Sequence, residues 1–418
     1  MEASLAPDRR PLLVLLAANA ISLTGNRLSM LAVPWFVLQT TGSATLTGVT
    51  GFFTLLPIVL SALFGGVVVD RLGYKRASIV SDLASGLTIA LIPALDAAGR
   101  LEFWVLLALT FFGALLDTPG ATARAALLPE LAERGGARIE WATSATQIVD
   151  RGARLLGAPL AGALIALVGP TTVLWIDAAT FAVSALMVAL AIPGNLAASR
   201  EEPSAGYVAD FKAGLAFIRR DRLIFAILLF LVATNFLDTA WATVAAPVLA
   251  RDVYGSAVAL GLLFGASGGG AVAGALLYGA VGYRFPRRTI FITGFVIAGT
   301  APLFLATFPP LPLAVAIQAV AGVAAGPLNP ILGAVEYERI PAGMRGRVFG
   351  AMTAAAWGAM PLGALLAGPL VVGLGLRGTL LAVGGCNLAA TLSMLFSPTL
   401  REMDARRASP AAAGEGLG

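Results

Sequence analysis

Seven ionisable side chains interrupt stretches that are otherwise apolar: Arg27, Asp117, Asp150, Arg151, Arg154, Asp177 and Asp238. The chain around them is 58% apolar and 12% charged, with a mean hydropathy of +0.86, the composition of a polytopic membrane protein. A charge at the bilayer centre costs roughly 2.5–3.5 kcal/mol even on lenient scales, so such residues pair, line water or carry function. The 418 residues contain no histidine and one cysteine, Cys386. Internal disulfides are excluded, and both the usual near-neutral proton carrier and the commonest metal ligand are missing. Any proton chemistry therefore falls to carboxylates.

Polar residues recur at the spacing of one helical face around two of these charges. Asn19, Ser22, Asn26 and Ser29 accompany Arg27, and Thr234, Asn235 and Trp241 or Ala242 accompany Asp238. Each charge lies about 15 residues into its apolar run, so at about 1.5 Å per residue the two share a depth and can face one cavity. Asp238 then takes a proton or a cationic substrate in alternation. Arg27 tunes its affinity, and Trp241 offers an aromatic surface to an amphiphilic cation. A static Arg27–Asp238 ion pair joining two halves of the chain fits the same pattern. Asp117 falls on a stripe with Thr110, Gly113, Gly120 and Arg124, while Gln147, Asp150, Arg151 and Arg154 sit at similar depth in the next run. Asp150 and Arg154 are four apart and can pair. These charges read as a network of the first half, either a proton relay or a structural device. Asp82 and Asp177 lie nearer helix ends and read as solvated or capping. Gln318 and Asn329 offer neutral hydrogen bonds to the cavity.

The elements that must position these groups are membrane helices. A span needs about 20 apolar residues, and such runs fall at about 12–38, 45–69, 77–98, 103–123, 141–168, 171–192, 223–249, 257–281, 289–308, 311–335, 347–374 and 378–398. Twelve spans put both termini on one side. Lys and Arg crowd the N-terminus, the even-to-odd loops and the tail, with only Arg100, Arg251 and Arg377 in the opposite loops, which makes that side cytoplasmic. The apolar N-terminal run continues past any cleavage site and reads as the first span, not as a removed signal.

The polar stretch from Pro193 to Arg222 separates two sets of six spans. Shifting one half by 209 residues matches Asn26 with Asn235, Gly73-Tyr74 with Gly282-Tyr283, Pro93 with Pro302 and Arg138 with Arg347. The reading is an all-α membrane protein built as a parallel repeat: a six-helix bundle over 1–192, a cytoplasmic linker over 193–222, a second bundle over 223–398 and a cytoplasmic tail over 399–418.

Between spans two and three stands GVVVDRLGYKR, from Gly66 to Arg76. Gly66, Asp70, Arg71, Gly73, Lys75 and Arg76 match the loop signature of the major facilitator superfamily, which the whole chain resembles. The resemblance implies that Asp70 latches the cytoplasmic gate against the start of span eleven, here Arg345-Gly346-Arg347, when the transporter is open outward. Topology alone also accounts for a basic loop here. The second-half counterpart has Gly279 where the aspartate would fall. NRLSMLAVPWFVLQTTGSA from Asn26, DTPGATARAALLPELA from Asp117, WIDAATFAVSAL from Trp175, FKAGLAFIRRDRLI from Phe211 and RGRVFGAM from Arg345 are similar to the branch of macrolide-, tetracycline- and Tap-type multidrug exporters and the enterobactin exporter. In span five, RLLGAPLAGAL is similar to the antiporter signature of the family's exporters, relaxed here to Gly157, Pro159 and Gly162. Close packing of small residues against the glycines of span eight explains it equally.

The resemblance implies a proton-coupled exporter of amphiphilic drugs working by alternating access in the bacterial inner membrane, with a siderophore or metabolite exporter as the alternative. Trp35, Phe36, Phe111, Phe112, Trp241 and Trp357 are available as apolar aromatic surface, for substrate or for packing. The expected partners are a small amphiphilic substrate, protons and membrane lipid, with the protein a monomer and no cofactor, metal or nucleic acid. An enzyme is disfavoured by the missing histidine and ligand clusters, and an ATP-driven pump by the missing phosphate-cradling loop. A sensor would add a soluble output domain.

Overall fold

The computed structural model describes residues 8–194 and 207–404, with the backbone alone at 62–68, 70–71, 207–208, 210, 283 and 398. It is helical almost throughout. The first half forms α1 (Arg10–Thr41), α2 (Ala44–Leu72), α3 (Tyr74–Ala97), α4 (Phe103–Arg134), α5 (Ile139–Val168) and α6 (Pro170–Ala191). Helix ends follow local chemistry. Gly42 closes α1 in the left-handed region, Ser43 accepts the Leu46 N–H at 3.2 Å to start α2, and Gly73 takes φ 76° between α2 and α3.

The polar stretch after α6 includes a 14-residue helix, α7 (Tyr207–Arg220). Span seven follows as α8 (Arg222–Ala240), a π turn (Trp241–Ala245) and α9 (Ala246–Asp252). The widened turn precedes Pro247, which cannot donate a backbone hydrogen bond; the Ala246 N–H reaches back to the Trp241 carbonyl. Beyond lie α10 (Ala257–Val281), α11 (Arg287–Leu305), α12 (Leu311–Ala325), α13 (Leu328–Arg339), α14 (Arg345–Gly358) and α15 (Met360–Leu395). Gly326-Pro327 divides the tenth span into α12 and α13.

Among the described residues, 11 helical runs are long and apolar enough to cross a membrane, and the last of them covers 54 residues, Ala342–Leu395. At 1.5 Å per residue it would extend about 80 Å, over twice a bilayer core. Gly375, at φ 69° and ψ 168°, breaks it into two passages, which brings the total to twelve. Many large apolar side chains point outward, among them Leu87, Trp104, Leu167 and Leu190, as lipid-facing surface requires.

The chain folds as two compact units. One holds 1–202, 238–265 and 360–379; the other holds 203–237, 266–359 and 380–418. In the first, α1 packs on α2, α5 and α6, α3 on α4 and α6, and α2 on α4. Leu12, Leu15, Leu127, Leu131, Val188 and Ile192 form a core where the start of α1 meets the C-terminal ends of α4 and α6. Gly162 of α5 meets Gly261 of α10 so closely that a Cβ on Gly162 would lie 2.6 Å from the Gly261 Cα. The second unit is built on Phe230, Phe291 and Phe295, with ring centroids 4.5–6.2 Å apart, and on the approach of α10 to α12, where a Cβ at Gly274 would lie 2.0 Å from the Val323 carbonyl.

Candidate functional site

The polar face of α1 finds its partners inside the first six helices. Asn19 accepts from Arg124 Nε at 3.2 Å and Ser22 from Arg124 Nη2 at 3.4 Å. One turn further, the Asn26 amide donates to Asp117 Oδ2 at 3.0 Å, and Ser29 Oγ donates to Asp177 Oδ2. These four hydrogen bonds join α1 to α4 and α6.

Arg124 is 3% exposed, and its guanidinium meets Asp82 of α3 at 2.7 Å, while Ser184 Oγ of α6 covers the second Asp82 oxygen at 2.7 Å. Asp82 is wholly buried, so the reading of a solvated residue is corrected. Its pairing with Arg124 also divides the expected network, because Asp150 and Arg154 pair with each other along α5 at 2.9 Å, with the Arg154 side chain 63% exposed and Arg151 exposed too. Asp177 is corrected in the same way. It is 0% exposed, accepting from Ser29 and, at 3.2 Å, from Thr180 Oγ1. Distance from a helix end misjudged both acids, since α6 packs against α1 and α3 over this stretch. A usable signal was present: hydroxyls stand three or four residues from each acid, Ser78 and Ser85 from Asp82 and Thr180 from Asp177.

Beside this network lies a cavity of about 260 Å³, lined by α1, α2, α3, α4 and α6. Its wall is mostly apolar, with Leu23, Val33, Ile58, Ile89 and Phe181, and its polar groups are Asn26, Arg27, Ser29, Thr54, Thr110, Asp117 and Thr118. Asp117 Oδ1 and Arg27 Nε are buried there with no hydrogen-bond partner among the described residues. Arg27 passes over α5 where a Cβ on Gly157 would lie 2.5 Å from its own Cβ, and Nη1 donates to Met30 Sδ at 3.2 Å. An apolar chamber with one carboxylate, one guanidinium and a few neutral donors suits an amphiphilic guest or a proton.

In span seven, Asp238 is exposed and stands one turn before the π stretch that Trp241 opens, with Trp241 half-buried. Asn235 donates to the Ala356 carbonyl of α14 at 3.1 Å. Gln318 is buried in α12. Of the aromatic candidates, Trp35 and Phe36 are buried packing residues, while Phe112 and Trp357 are about half exposed. The motif of α5 sits at three close approaches: Gly157 over Arg27, Gly162 on Gly261, and Pro159, whose ring would be 2.4 Å from a Cβ on Gly265. In the loop after α2, the side chains of Gly66, Asp70 and Arg71 lie outside the described residues. Gly73 makes the turn and Arg76 is exposed. Lys75 donates to the carbonyls of Ala189 and Ile192 at 2.8 and 2.5 Å, so its cation caps the C-terminus of α6. Arg345 donates to the carbonyls of Ile340 and Tyr337 and stacks 5.1 Å over the Tyr337 ring.

This succession of helices is the fold of the major facilitator transporters: the crystal structure of nucleoside transporter NupG superposes with a TM-score of 0.76 at 13% identity, covering 92% of this chain and 98% of that one. The chain belongs to the transmembrane secretion effector family of this superfamily, whose profile matches residues 2–415. It is 34% identical over 404 residues to the multidrug efflux pump Tap of Mycobacterium tuberculosis, covering 95% of this chain and 96% of that pump. Similarity to Tap of Mycolicibacterium fortuitum is 33% over 400 residues, 95% of this chain and 98% of the relative. The protein is a multi-pass transport protein of the bacterial inner membrane.

Proposed function

We propose that the protein exports amphiphilic, preferentially cationic drugs by proton antiport, alternating between outward- and inward-open states with both termini in the cytoplasm. The observation that carries the proposal is the chamber in the first unit, where Asp117 and Arg27 stand with unpartnered buried atoms in a largely apolar wall. The likeness to the Tap pumps along nearly the whole chain supports the direction and the drug class. Asp238 takes a proton or the substrate cation in turn, Arg27 shifts the balance between them, and Trp241 offers its ring to the bound cation. A proton moving inward across the membrane releases about 2.3 kcal/mol per 100 mV, so a single carboxylate is enough to couple the cycle. Asp70 latches the cytoplasmic gate against the segment Arg345–Arg347 in the outward-open state, and one chain is the working unit.

The test is a drug-susceptibility panel in cells expressing the protein, paired with Asp238→Asn at equal expression. Resistance to amphiphilic cations that disappears in the variant is the expected result. An unaltered chain that confers no resistance removes the drug-export reading. Resistance retained by Asp238→Asn moves coupling away from that residue.

A further inference from the structure

Asp177 has no part in the mechanism just described, yet its surroundings are those of a proton site. It is wholly enclosed; Oδ2 receives the Ser29 hydroxyl, and Thr180 Oγ1 stands 3.2 Å from Oδ1 while lying nearer, at 2.7 Å, to the Asp177 backbone carbonyl. A permanently ionised carboxylate in such a place would ordinarily be matched by a guanidinium or several N–H groups. The charged side chains of the neighbouring helices are directed at other groups. On α3 and α4, Asp82 and Arg124 neutralise each other at 2.7 Å. On α4, Asp117 holds the Asn26 amide. On α5, Asp150 and Arg154 pair at 2.9 Å and Arg151 is exposed. On α1, Arg27 lies against Gly157 of α5.

The enclosed acid still has a route to the cavity. Ser29 is a wall residue of the chamber and at the same time the donor to Asp177, while Asp117, with its unpartnered Oδ1, lines the same chamber. Asn26 and Ser29 lie three residues apart on one face of α1, so a single helix face serves both acids. The contact is built in: a Cβ on Gly25 would fall 2.3 Å from Asp177 Oδ1 and 2.0 Å from Thr180 Oγ1, so only glycine lets α1 approach this closely.

We propose that Asp177 is a second proton-binding carboxyl, loaded and emptied through the Ser29 hydroxyl from the chamber that Asp117 lines. In loading, a hydronium in the chamber gives a proton to a lone pair of Ser29 Oγ as the serine's own proton passes to Asp177 Oδ2. The serine ends unchanged, the carboxylate becomes a carboxylic acid and the hydronium becomes water; unloading is the reverse. The proposal rests on the reading of a proton-coupled exporter, and its test does not need transport.

The full-length protein, purified and reconstituted in lipid, is titrated while infrared difference spectra record the protonated-carboxyl carbonyl stretch. Asp177→Asn is expected to remove one titrating band and Asp117→Asn a different one. Ser29→Ala is expected to keep the Asp177 band, move it to higher wavenumber as a hydrogen bond is lost, and slow its hydrogen–deuterium exchange about a hundredfold, the lower range for loss of a positioned proton carrier. An Asp177→Asn spectrum identical to the unaltered protein at every pH overturns the proposal. So does Ser29→Ala exchange at the original rate, a readout that stands even if Asp177→Asn fails to fold. Ethidium-driven proton movement in proteoliposomes tests the exporter reading separately: its absence beside an intact Asp177 band sinks antiport and leaves the site.

Discussion

The two compact units solve the problem of packing membrane helices with different chemistry. In the first, the interior holds Asp82, Arg124, Asp117 and Asp177, each tied to a neighbouring helix by a polar side chain. In the second, the interior is aromatic and glycine-lined, around Phe230, Phe291 and Phe295. Ion pairs described there sit toward helix ends: Arg287 with Glu338 at 2.7 Å, and Arg339 with Asp221 at 3.3 Å and Glu402 at 2.5 Å. Lipid supplies no hydrophobic force between helices, so association depends on close packing and interhelical hydrogen bonds. The first unit leans on the hydrogen bonds, and the second on packing. Buried charge can change protonation and so be worked by a proton gradient, whereas a phenylalanine cluster cannot. The contrast is one of buried ion pairs and acids in the first unit against an aromatic cluster in the second.

The comparison breaks most readily at Arg124. Arg124→Met leaves Asp82 buried without its partner, and breaking a buried pair from one side typically costs 3–5 kcal/mol. Thermal unfolding of the purified variant should show a loss of that size, and joint replacement of Asp82 and Arg124 by apolar residues should recover much of it. In the second unit, Phe291→Ala opens a hole beside Phe230 and Phe295 and is expected to cost about 3–5 kcal/mol with substrate-driven proton movement retained per folded molecule; abolished coupling would show that the aromatic core also takes part. A smaller effect belongs to Gly25→Ala, where the added methyl collides with Thr180 and Asp177. About 1–3 kcal/mol is expected, and a thermal midpoint equal to the parent's would mean that α1 and α6 separate easily. Last comes Arg287→Gln, which removes a partly exposed pair and should change stability by about 1 kcal/mol or less. A larger shift would make the rim of the second unit as dependent on charge as the interior of the first.

How legible all this was can be judged residue by residue. The turns at Gly42, Gly73 and Gly375 were readable because the left-handed backbone there suits a residue without a Cβ. The faces of α1 and α4 were readable from spacing: Asn19, Ser22, Asn26 and Ser29 do share a face, as do Thr110, Gly113 and Asp117. The partners were not. Arg124 was grouped with Asp150 and Arg154 by depth, yet it pairs with Asp82; Asp177 was set aside for lying near a helix end, yet it is sealed between α1 and α6. Depth along a helix follows from residue number, but the rotation of one helix against the next does not.

The amino-acid order by itself determined that the chain crosses a bilayer, where the passages fall, and that carboxylates must carry any proton, because apolar run length and the absence of histidine are one-dimensional properties. Tertiary structure alone decided which acid meets which donor. Close approaches at Gly25, Gly120 and Gly157 set how far each helix turns toward its neighbour, and a turn of one residue, about 100°, would send every polar side chain of α1 elsewhere.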